Sequence, residues 1–549
     1  MRTLEALLLL ADLLAFCGLW VARLRGRRGL RLLPAVALMA AATQVLVEGP
    51  RWPMGPAYAL AAGLLLTGLL QRRVPARAHA GPIVRHPRGA ALAIGLGVLA
   101  WAAAAALPWA VPVFRFPIPA GPHAIGTVAY HWTDGSRSEL FGADPAAGRQ
   151  LMVQAWYPAL AKPMSARARY LQDADAVMAA FAHSHGQPAW VFAQFKHVTT
   201  HALPAAAVAS DAVRYPVLLF LEGATGFRQM NTFQVEHLVS HGYIVVALDQ
   251  PGAAAAVRFP DGQQIDGLTL AQFKATVGPS YLPAAAVPSA KGRLMPNGSA
   301  LADASIIPYL AQDVVFALDQ LAAVNQADPH RLLTGKLDLQ RVAAFGVSLG
   351  GIVAAEACRL DARLRACLLM DAPMPTDVVD AGLRQPSLWL TRDAASMRLE
   401  RQAVGGWPDA EIDAHQRTMR AAYERGSGAG YLVQMPGAFH SNFTDAPLWT
   451  PLAALWGLSG PIGGQRAHDI INAYGLAFFD RHLLGRPASL LDETTGRGAD
   501  VLFEARGPDP APPAAAKIRA SATSRPGRSR CAKRPRPSHR LRAMRQGRQ

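Results

Sequence analysis

The stretch Val342–Leu360, VAAFGVSLGGIVAAEACRL, decides the fold. Its first four residues are apolar and typical of a buried strand, and the residues from 351 onward are mostly small or apolar, as in a packed helix. Between them, Gly346–Gly350 matches the pattern G-x-S-x-G. A strand, a sharp turn and a helix in this order form a nucleophile elbow, which exposes a serine oxygen. The stretch therefore predicts Ser348 as a nucleophile and the backbone N–H of Leu349 as a donor to an oxyanion.

Around the elbow, short apolar runs alternate with helical patterns. The runs typical of buried strands are 149–157, 215–221, 243–248, 341–345, 366–370, 387–390 and 431–435, and the helical patterns include 231–241, 306–325 and 468–484. This alternation predicts a mostly parallel sheet with helices on both faces. Together with the elbow, it predicts an α/β-hydrolase fold for a catalytic domain over residues 114–505.

A serine nucleophile needs a base, and the base needs an acid that orients it. His440 lies in the loop after the last of these strands, where an α/β-hydrolase carries its base. Two carboxylates are candidates for the acid, since Asp371 ends the strand after the elbow helix and Asp393 ends the next strand. We prefer Asp371, because Arg392 offers its neighbour Asp393 a surface ion pair, and Asp393 remains the alternative.

A second oxyanion donor is expected from the turn after the strand 215–221. That turn is Glu222–Phe227, EGATGF, and it is rich in glycine, so the backbone can come close to a bound substrate. The sequence predicts the backbone N–H of Ala224 as this donor.

The first 113 residues are predicted to form a membrane anchor. Four apolar runs, 4–22, 30–47, 52–70 and 89–109, are each long enough to cross a hydrocarbon layer of about 30 Å. Arginines cluster in the loops 23–31 and 71–88 and are sparse at the other ends of the runs, which predicts that these two loops are cytoplasmic. The N-terminus and everything after residue 113 are then outside. Asp12 within the first run is interpreted as a snorkelling or helix-pairing group, with a proton or ligand path as the alternative.

The net charge of +17 is unevenly distributed along the chain. Residues 1–113 carry +9 and residues 506–549 carry +12, whereas the middle carries −4. A mildly acidic middle argues against nucleic-acid binding. The Arg- and Pro-rich residues 506–549 have little to bury and are predicted to be disordered, either an unselected extension or a tail that touches anionic lipid.

The four cysteines are too widely spread for a disulfide scaffold or a zinc site. Cys358 and Cys367 lie nine residues apart, and they could pair in an oxidising compartment. We expect two buried thiols instead.

The catalytic region resembles the platelet-activating factor acetylhydrolases of the plasma and isoform II type and their bacterial relatives. The matching segments run through most of 116–505; they are FPIPAGPHAIGT (116–127), VQAWYP (153–158), EGATGFR (222–228), SHGYIVVA (240–247), LDLQRVAAFGVSLGG (337–351), LLMDAP (368–373), FHSNF (439–443) and AYGLAFFDRHLL (473–484). The resemblance implies Asp371 as the acid and Ala224 and Leu349 as the oxyanion donors. It also implies calcium-independent release of short or oxidised acyl chains from phospholipids, with no cofactor and no metal.

Two residues depart from the family pattern. Glu222 and Val347 stand where the family usually has histidine, and both are expected to line the pocket, so the preference for phospholipid is less firmly implied than ester hydrolysis. The expected protein is a multi-pass serine esterase of the bacterial inner membrane, with its catalytic domain facing the periplasm and a lipid bilayer and an ester or phospholipid as partners. A general carboxylesterase or polyesterase, and a catalytically silent envelope protein that binds a lipid or a partner, remain alternatives.

Overall fold

The computed structural model describes residues 1–25, 28–73, 87–144, 146–161, 166–277, 306–492 and 500–507. The centre of the second Arg-rich loop, 74–86, and the predicted disordered tail beyond residue 507 lie outside these ranges.

Four helices form the N-terminal region: α1 (Thr3–Arg25), α2 (Leu33–Glu48), α3 (Gly55–Arg73) and α4 (Pro87–Ala110). Their contact surface is built largely from small side chains, among them Ala15, Ala37, Ala57 and Ala104, which are buried. Small residues let helix backbones approach closely, as they do in membrane-spanning bundles.

Within the described residues, four helical segments are long and apolar enough to span a membrane: Gly29–Glu48, Trp52–Leu70, Ala91–Ala110 and Ile306–Gln326. The first three coincide with predicted spans. The fourth packs inside the domain that follows α4 and buries Leu310, Val314 and Leu321 in its core. The predicted span 4–22 falls within α1, which has 23 residues.

A polar cluster joins the helix ends on one side of the bundle. Arg51 donates to Glu5 at 2.7 Å and also to the backbone oxygen of Val111, and the backbone N–H of Leu4 donates to Glu48 at 3.0 Å. The N-terminus, the turn between α2 and α3, and the exit from α4 therefore lie at the same end of the bundle.

Twelve strands occur within the described residues: β1 (Ala124–Ser138), β2 (Gly148–Ala159), β3 (Leu203–Pro204), β4 (Tyr215–Leu221), β5 (Ile244–Asp249), β6 (Ala256–Arg258), β7 (Gln264–Asp266), β8 (Leu337–Val347), β9 (Leu364–Met370), β10 (Ser387–Thr391), β11 (Gly430–Gln434) and β12 (Leu502–Arg506). Ten of them form one mixed sheet in the order β12-β11-β10-β9-β8-β4-β5-β2-β1-β3, and β6 pairs with β7. The centre, from β11 to β5, is parallel, whereas β2 and β12 join it antiparallel. β12 includes Arg506, one residue beyond the predicted domain boundary.

The helices that follow α4 are α5 (Ala174–Ser184), α6 (Thr232–Ser240), α7 (Leu270–Val277), α8 (Ile306–Gln326), α9 (Leu349–Leu360), α10 (Thr376–Ala381), α11 (Ala394–Val404), α12 (Asp409–Arg425) and α13 (Gly464–Leu484). In β4, Val217 and Leu219 face a core shared with α8 and α9, whereas Leu218 and Phe220 face a core shared with α6 and α13. The alternation of a strand's side chains thus buries both faces of the sheet, as its uninterrupted apolar sequence predicts.

The expectation of two buried thiols is wrong, because Cys358 and Cys367 form a disulfide. Cys358 lies near the end of α9 and Cys367 lies in the adjacent β9, and the turn between them brings their Cα atoms to 6.7 Å. That separation is within the range that a disulfide can span.

Candidate active site

The turn between β8 and α9 holds Ser348 in a strained conformation. Ser348 has a φ of +56°, which a non-glycine residue rarely adopts, and its backbone N–H donates to the carbonyl of Met370 in β9 at 2.8 Å. The turn is tight enough to require glycine on both sides. A Cβ on Gly346 would lie 2.3 Å from the backbone of Gly350, and a Cβ on Gly350 would lie 2.0 Å from the carbonyl oxygen of Leu221. The elbow geometry therefore follows from the small residues of the motif.

Asp371 and His440 are in direct contact. Asp371 follows β9 with a φ of +44°, and its backbone N–H donates to the carbonyl of Leu390 in the neighbouring strand at 2.8 Å. His440 begins a short 3₁₀ turn after β11, and its Nδ1 lies 2.5 Å from Oδ2 of Asp371. A carboxylate at Nδ1 leaves Nε2 as the nitrogen that can accept a proton.

The surroundings of Asp371 keep it ionised. Burial by itself would raise the pKa of this carboxyl, but the Arg392 guanidinium and the hydrogen bond with His440 lower it, and the resulting pKa lies well below the ordinary value. Arg392 is fully buried, and its Nε lies 2.7 Å from Oδ2 of Asp371. A persistent negative charge at this position can stabilise a positively charged imidazole.

The turn after β4 lies against the elbow. A Cβ on Gly223 would lie 3.4 Å from the Cβ of Ser348, so the adjacent Ala224 is close to the serine. Leu349 is the first residue of α9, where backbone N–H groups have no partner within the helix. One predicted oxyanion donor thus adjoins Ser348 in sequence, and the other belongs to a distant turn that packs against the elbow.

The alternative acid, Asp393, has a different role. It is the N-cap of α11, and its carboxylate accepts the backbone N–H of Ser396 at 2.8 Å. Its neighbour Arg392 forms no surface pair with it, because the guanidinium is buried between Asp371 and Glu400.

Ser348, His440 and Ala224 line one cavity of about 950 Å³. This volume is at the upper end of the range of about 300–1,000 Å³ that is typical of small-molecule sites. Val347 lines the cavity as expected, but the same expectation for Glu222 is wrong. Glu222 is 1% exposed and accepts the backbone N–H of Gln250, and burial raises the pKa of its carboxyl well above the ordinary value.

No protein-family model matches the chain. Three curated proteins are similar to it in sequence. A guinea-pig (Cavia porcellus) "Platelet-activating factor acetylhydrolase" is 23% identical over 287 residues, which is 49% of this chain and 58% of the relative. A "Probable 1-alkyl-2-acetylglycerophosphocholine esterase" of Arthroderma benhamiae is 23% identical over 420 residues, 71% of this chain and 94% of the relative. The dog (Canis lupus familiaris) acetylhydrolase is 22% identical, covering 49% of this chain and 57% of its own. The chain thus matches a little over half the length of the two mammalian relatives.

A solved structure is also similar, the ferulic acid esterase from Streptomyces cinnamoneus. It superposes with a TM-score of 0.53 and 27% identity, covering 71% of this chain and 99% of the esterase. The chain has the α/β-hydrolase fold. The relatives and this structure together support a carboxylesterase, a hydrolase that acts on ester bonds.

The roles of three residues around Asp371 were not predicted from the sequence: Glu400 and His415 were not singled out, and Arg392 was expected to pair with Asp393 at the surface. Arg392 joins Asp371 to Glu400, and Glu400 accepts the backbone N–H of His440 at 3.0 Å. His415 in α12 is fully buried, with its Nε2 at 3.7 Å from Asp371, and burial lowers its pKa to about 4, so it is neutral. A signal for Arg392 exists in the sequence, since it directly follows β10, the strand beside β9. Glu400 and His415 lie on later helices and follow no recognisable motif.

Proposed function

We propose that this chain is a membrane-anchored serine esterase in which Ser348, His440 and Asp371 form a catalytic triad. The observation that carries the proposal is the 2.5 Å contact between His440 and Asp371 in a cavity that both His440 and Ser348 line. Strained backbone at Ser348 and Asp371 supports it, because such strain concentrates at functional sites.

In the proposed reaction, the Ser348 hydroxyl attacks the carbonyl carbon of the ester and passes its proton to Nε2 of His440. The N–H groups of Ala224 and Leu349 stabilise the oxyanion of the tetrahedral intermediate. The intermediate collapses when His440 gives the proton to the departing alcohol, which leaves an acyl group on Ser348. Water, deprotonated by His440, then releases the acid and restores the serine.

We further propose that the chain is a multi-pass protein of the bacterial inner membrane with the esterase in the periplasm. Arginine placement in the sequence supports this orientation, and so does the Cys358–Cys367 disulfide, since disulfides persist in oxidising compartments. A reporter fused after residue 113 tests it. Periplasmic alkaline phosphatase is expected to be active there, and an active cytoplasmic reporter at the same junction would overturn the orientation.

For the substrate, we propose phospholipids that carry a short or oxidised acyl chain. The two mammalian relatives, which are named for platelet-activating factor, support this substrate. So does the Arthroderma benhamiae relative, named as a probable esterase of 1-alkyl-2-acetylglycerophosphocholine, which is matched over 94% of its length. The ferulic acid esterase favours a second candidate, a carboxylesterase of broader range. A panel of phosphatidylcholines with increasing sn-2 chain length, compared with simple aryl esters, separates the two. The first candidate requires higher kcat/KM on the short-chain phospholipids, whereas the second requires preference for aryl esters.

A catalytically silent protein that binds a lipid is the remaining alternative. A fluorophosphonate probe reacts only with an activated serine. Labelling of the parent protein but not of a Ser348→Ala variant supports catalysis, whereas an unlabelled, folded parent supports the silent alternative.

A further inference from the structure

The cavity next to Ser348 has walls from two parts of the chain. One wall belongs to the catalytic domain, and the other is formed by Trp52, Leu107, Ala110 and Val111 of the N-terminal helical region. We propose that these helices are part of the substrate site, and that the hydrocarbon arm on the alcohol side of a bilayer-resident ester lies against them during hydrolysis. This inference rests on the proposed function and extends it.

The four residues on the anchor side lie at one end of the N-terminal helices, where the proposed spans leave the bilayer. Trp52 begins the 3₁₀ turn Trp52–Met54 that leads into α3, and Leu107 and Ala110 belong to the last turn of α4. The 24 residues of α4 correspond to about 36 Å at 1.5 Å per residue, slightly more than a hydrocarbon layer of about 30 Å. When α4 spans the layer from its N-terminal end, its C-terminal turn reaches the level of the lipid ester groups, and the cavity that it lines reaches the same level.

Direct contacts hold the two walls together. Thr450 of the catalytic domain donates its hydroxyl to the carbonyl of Ala110 at 2.7 Å. The ring of Trp52 meets Trp190 edge to face at 4.7 Å between centroids. The anchor wall is thus fixed to the catalytic domain by a hydrogen bond and an aromatic contact.

The opposite wall is suited to hydrocarbon. Phe181, Phe192, Phe195 and Trp449 contact one another edge to face with centroids 5.1–6.3 Å apart. Among the described residues that line the cavity, the charged or titratable side chains are His185, Glu400 and His440, and none is lysine or arginine. Such a cavity has no strong partner for a phosphate, so an uncharged hydrocarbon arm fits it better than a lipid headgroup.

Half-exposed tryptophans surround the same region. Trp190 is 55% exposed and Trp456 is 47% exposed, and both line the cavity, while Trp109 at the end of α4 is 53% exposed. Tryptophan is enriched at membrane–water interfaces, where its ring contacts lipid and its N–H contacts water. These residues therefore indicate that the cavity faces a lipid surface.

Two acetate esters test the inference, because both form the same acetyl-enzyme and differ only in the alcohol. Hexadecyl acetate in phosphatidylcholine vesicles presents a bilayer arm, and p-nitrophenyl acetate in water presents none. Ala110→Trp fills the anchor side of the cavity, and Ala106→Trp places the same side chain one turn earlier, on an exposed position of α4. Fluorophosphonate labelling counts the competent active sites of every variant.

The measured quantity is the ratio of kcat/KM for hexadecyl acetate to that for p-nitrophenyl acetate. Ala110→Trp is expected to lower this ratio by at least about tenfold, the lower end of what one methylene changes in an apolar pocket. Ala106→Trp is expected to leave the ratio as in the parent. If Ala110→Trp yields no labelled sites, Leu107→Phe, a smaller intrusion at the same wall, is expected to lower the ratio in the same direction.

A labelled Ala110→Trp or Leu107→Phe variant with the parent ratio would overturn the role of the anchor wall and leave the proposed esterase intact. A parent that hydrolyses neither acetate and is not labelled would instead refute the esterase itself.

Discussion

Replacing Asp371 by asparagine isolates the contribution of the proposed acid. The substitution keeps the shape of the side chain but removes the charge that lies 2.5 Å from Nδ1 of His440 and 2.7 Å from Nε of Arg392. An amide can donate a hydrogen bond to Nδ1, which favours the histidine tautomer that carries its proton on Nε2. In that tautomer, Nε2 cannot accept the proton of Ser348. The same change in a Ser–His–Asp triad lowers kcat by about 10⁴. Because each tenfold change corresponds to about 1.36 kcal/mol, the expected loss is about 5 kcal/mol of transition-state stabilisation.

Asp393→Asn is the matched control, since the same chemical change is made at the end of the neighbouring strand. Asp393 caps α11 through the backbone N–H of Ser396, and asparagine is an equally good N-cap, so its activity is expected to stay near that of the parent. The assay is kcat/KM on p-nitrophenyl acetate, normalised to folded protein by circular dichroism. An Asp371→Asn variant that keeps activity within tenfold of the parent, or an equal loss in both variants, would refute the assignment.

Three further predictions concern the framework of the site. Gly350→Ala is expected to distort the elbow and lower the melting temperature by several degrees, because the new Cβ would lie 2.0 Å from the backbone of β4. Gly135→Ala serves as the neutral control, because there is open space around Gly135. Arg392→Gln removes the cation that lies between two buried carboxylates and is expected to cost about 3–5 kcal/mol in urea unfolding. The pKa of the Asp371 carboxyl, lowered by this guanidinium, should then rise, so the stability that its ionised form contributes is lost at higher pH than in the parent. Urea unfolding at a series of pH values measures this, and an unchanged pH dependence would contradict the ion pair. In denatured protein, a thiol-alkylating reagent should modify Cys358 and Cys367 only after reduction, and alkylation without reduction would contradict the disulfide. Replacing both cysteines by alanine should lower the free energy of unfolding by about 2–4 kcal/mol.

The parts of the fold that follow local patterns were predictable from the sequence. The central strands are uninterrupted apolar runs. The elbow is recognisable in the sequence as a strand, a serine between two glycines and a helix. Asp371 and His440 each follow such a strand, and carboxyl ends of neighbouring parallel strands meet at one edge of a sheet. The contact between Asp371 and His440 therefore follows from the positions of β9 and β11 in the sheet.

The parts that depend on distant packing were not predictable in this way. Arg392 looked like a surface partner of Asp393, because the sequence does not reveal which way a side chain points at the end of a strand. The cysteine pair was misjudged because spacing alone does not give the 6.7 Å approach of α9 and β9. Trp52 and Ala110 line the cavity because the N-terminal helices contact the domain that follows them. The charge pattern of the sequence divides the chain into these two regions and does not show that they touch.

The central claim is that Ser348 is an activated nucleophile, and the most direct measurement combines turnover with mapping of a covalent adduct. Ser348→Ala is expected to reduce kcat by about 10⁶, as removal of a triad serine does, and a fluorophosphonate adduct is expected on the peptide that contains Ser348 in the parent protein. Near-normal hydrolysis of p-nitrophenyl acetate by the folded Ser348→Ala variant, or an adduct mapped to another residue, would contradict the account.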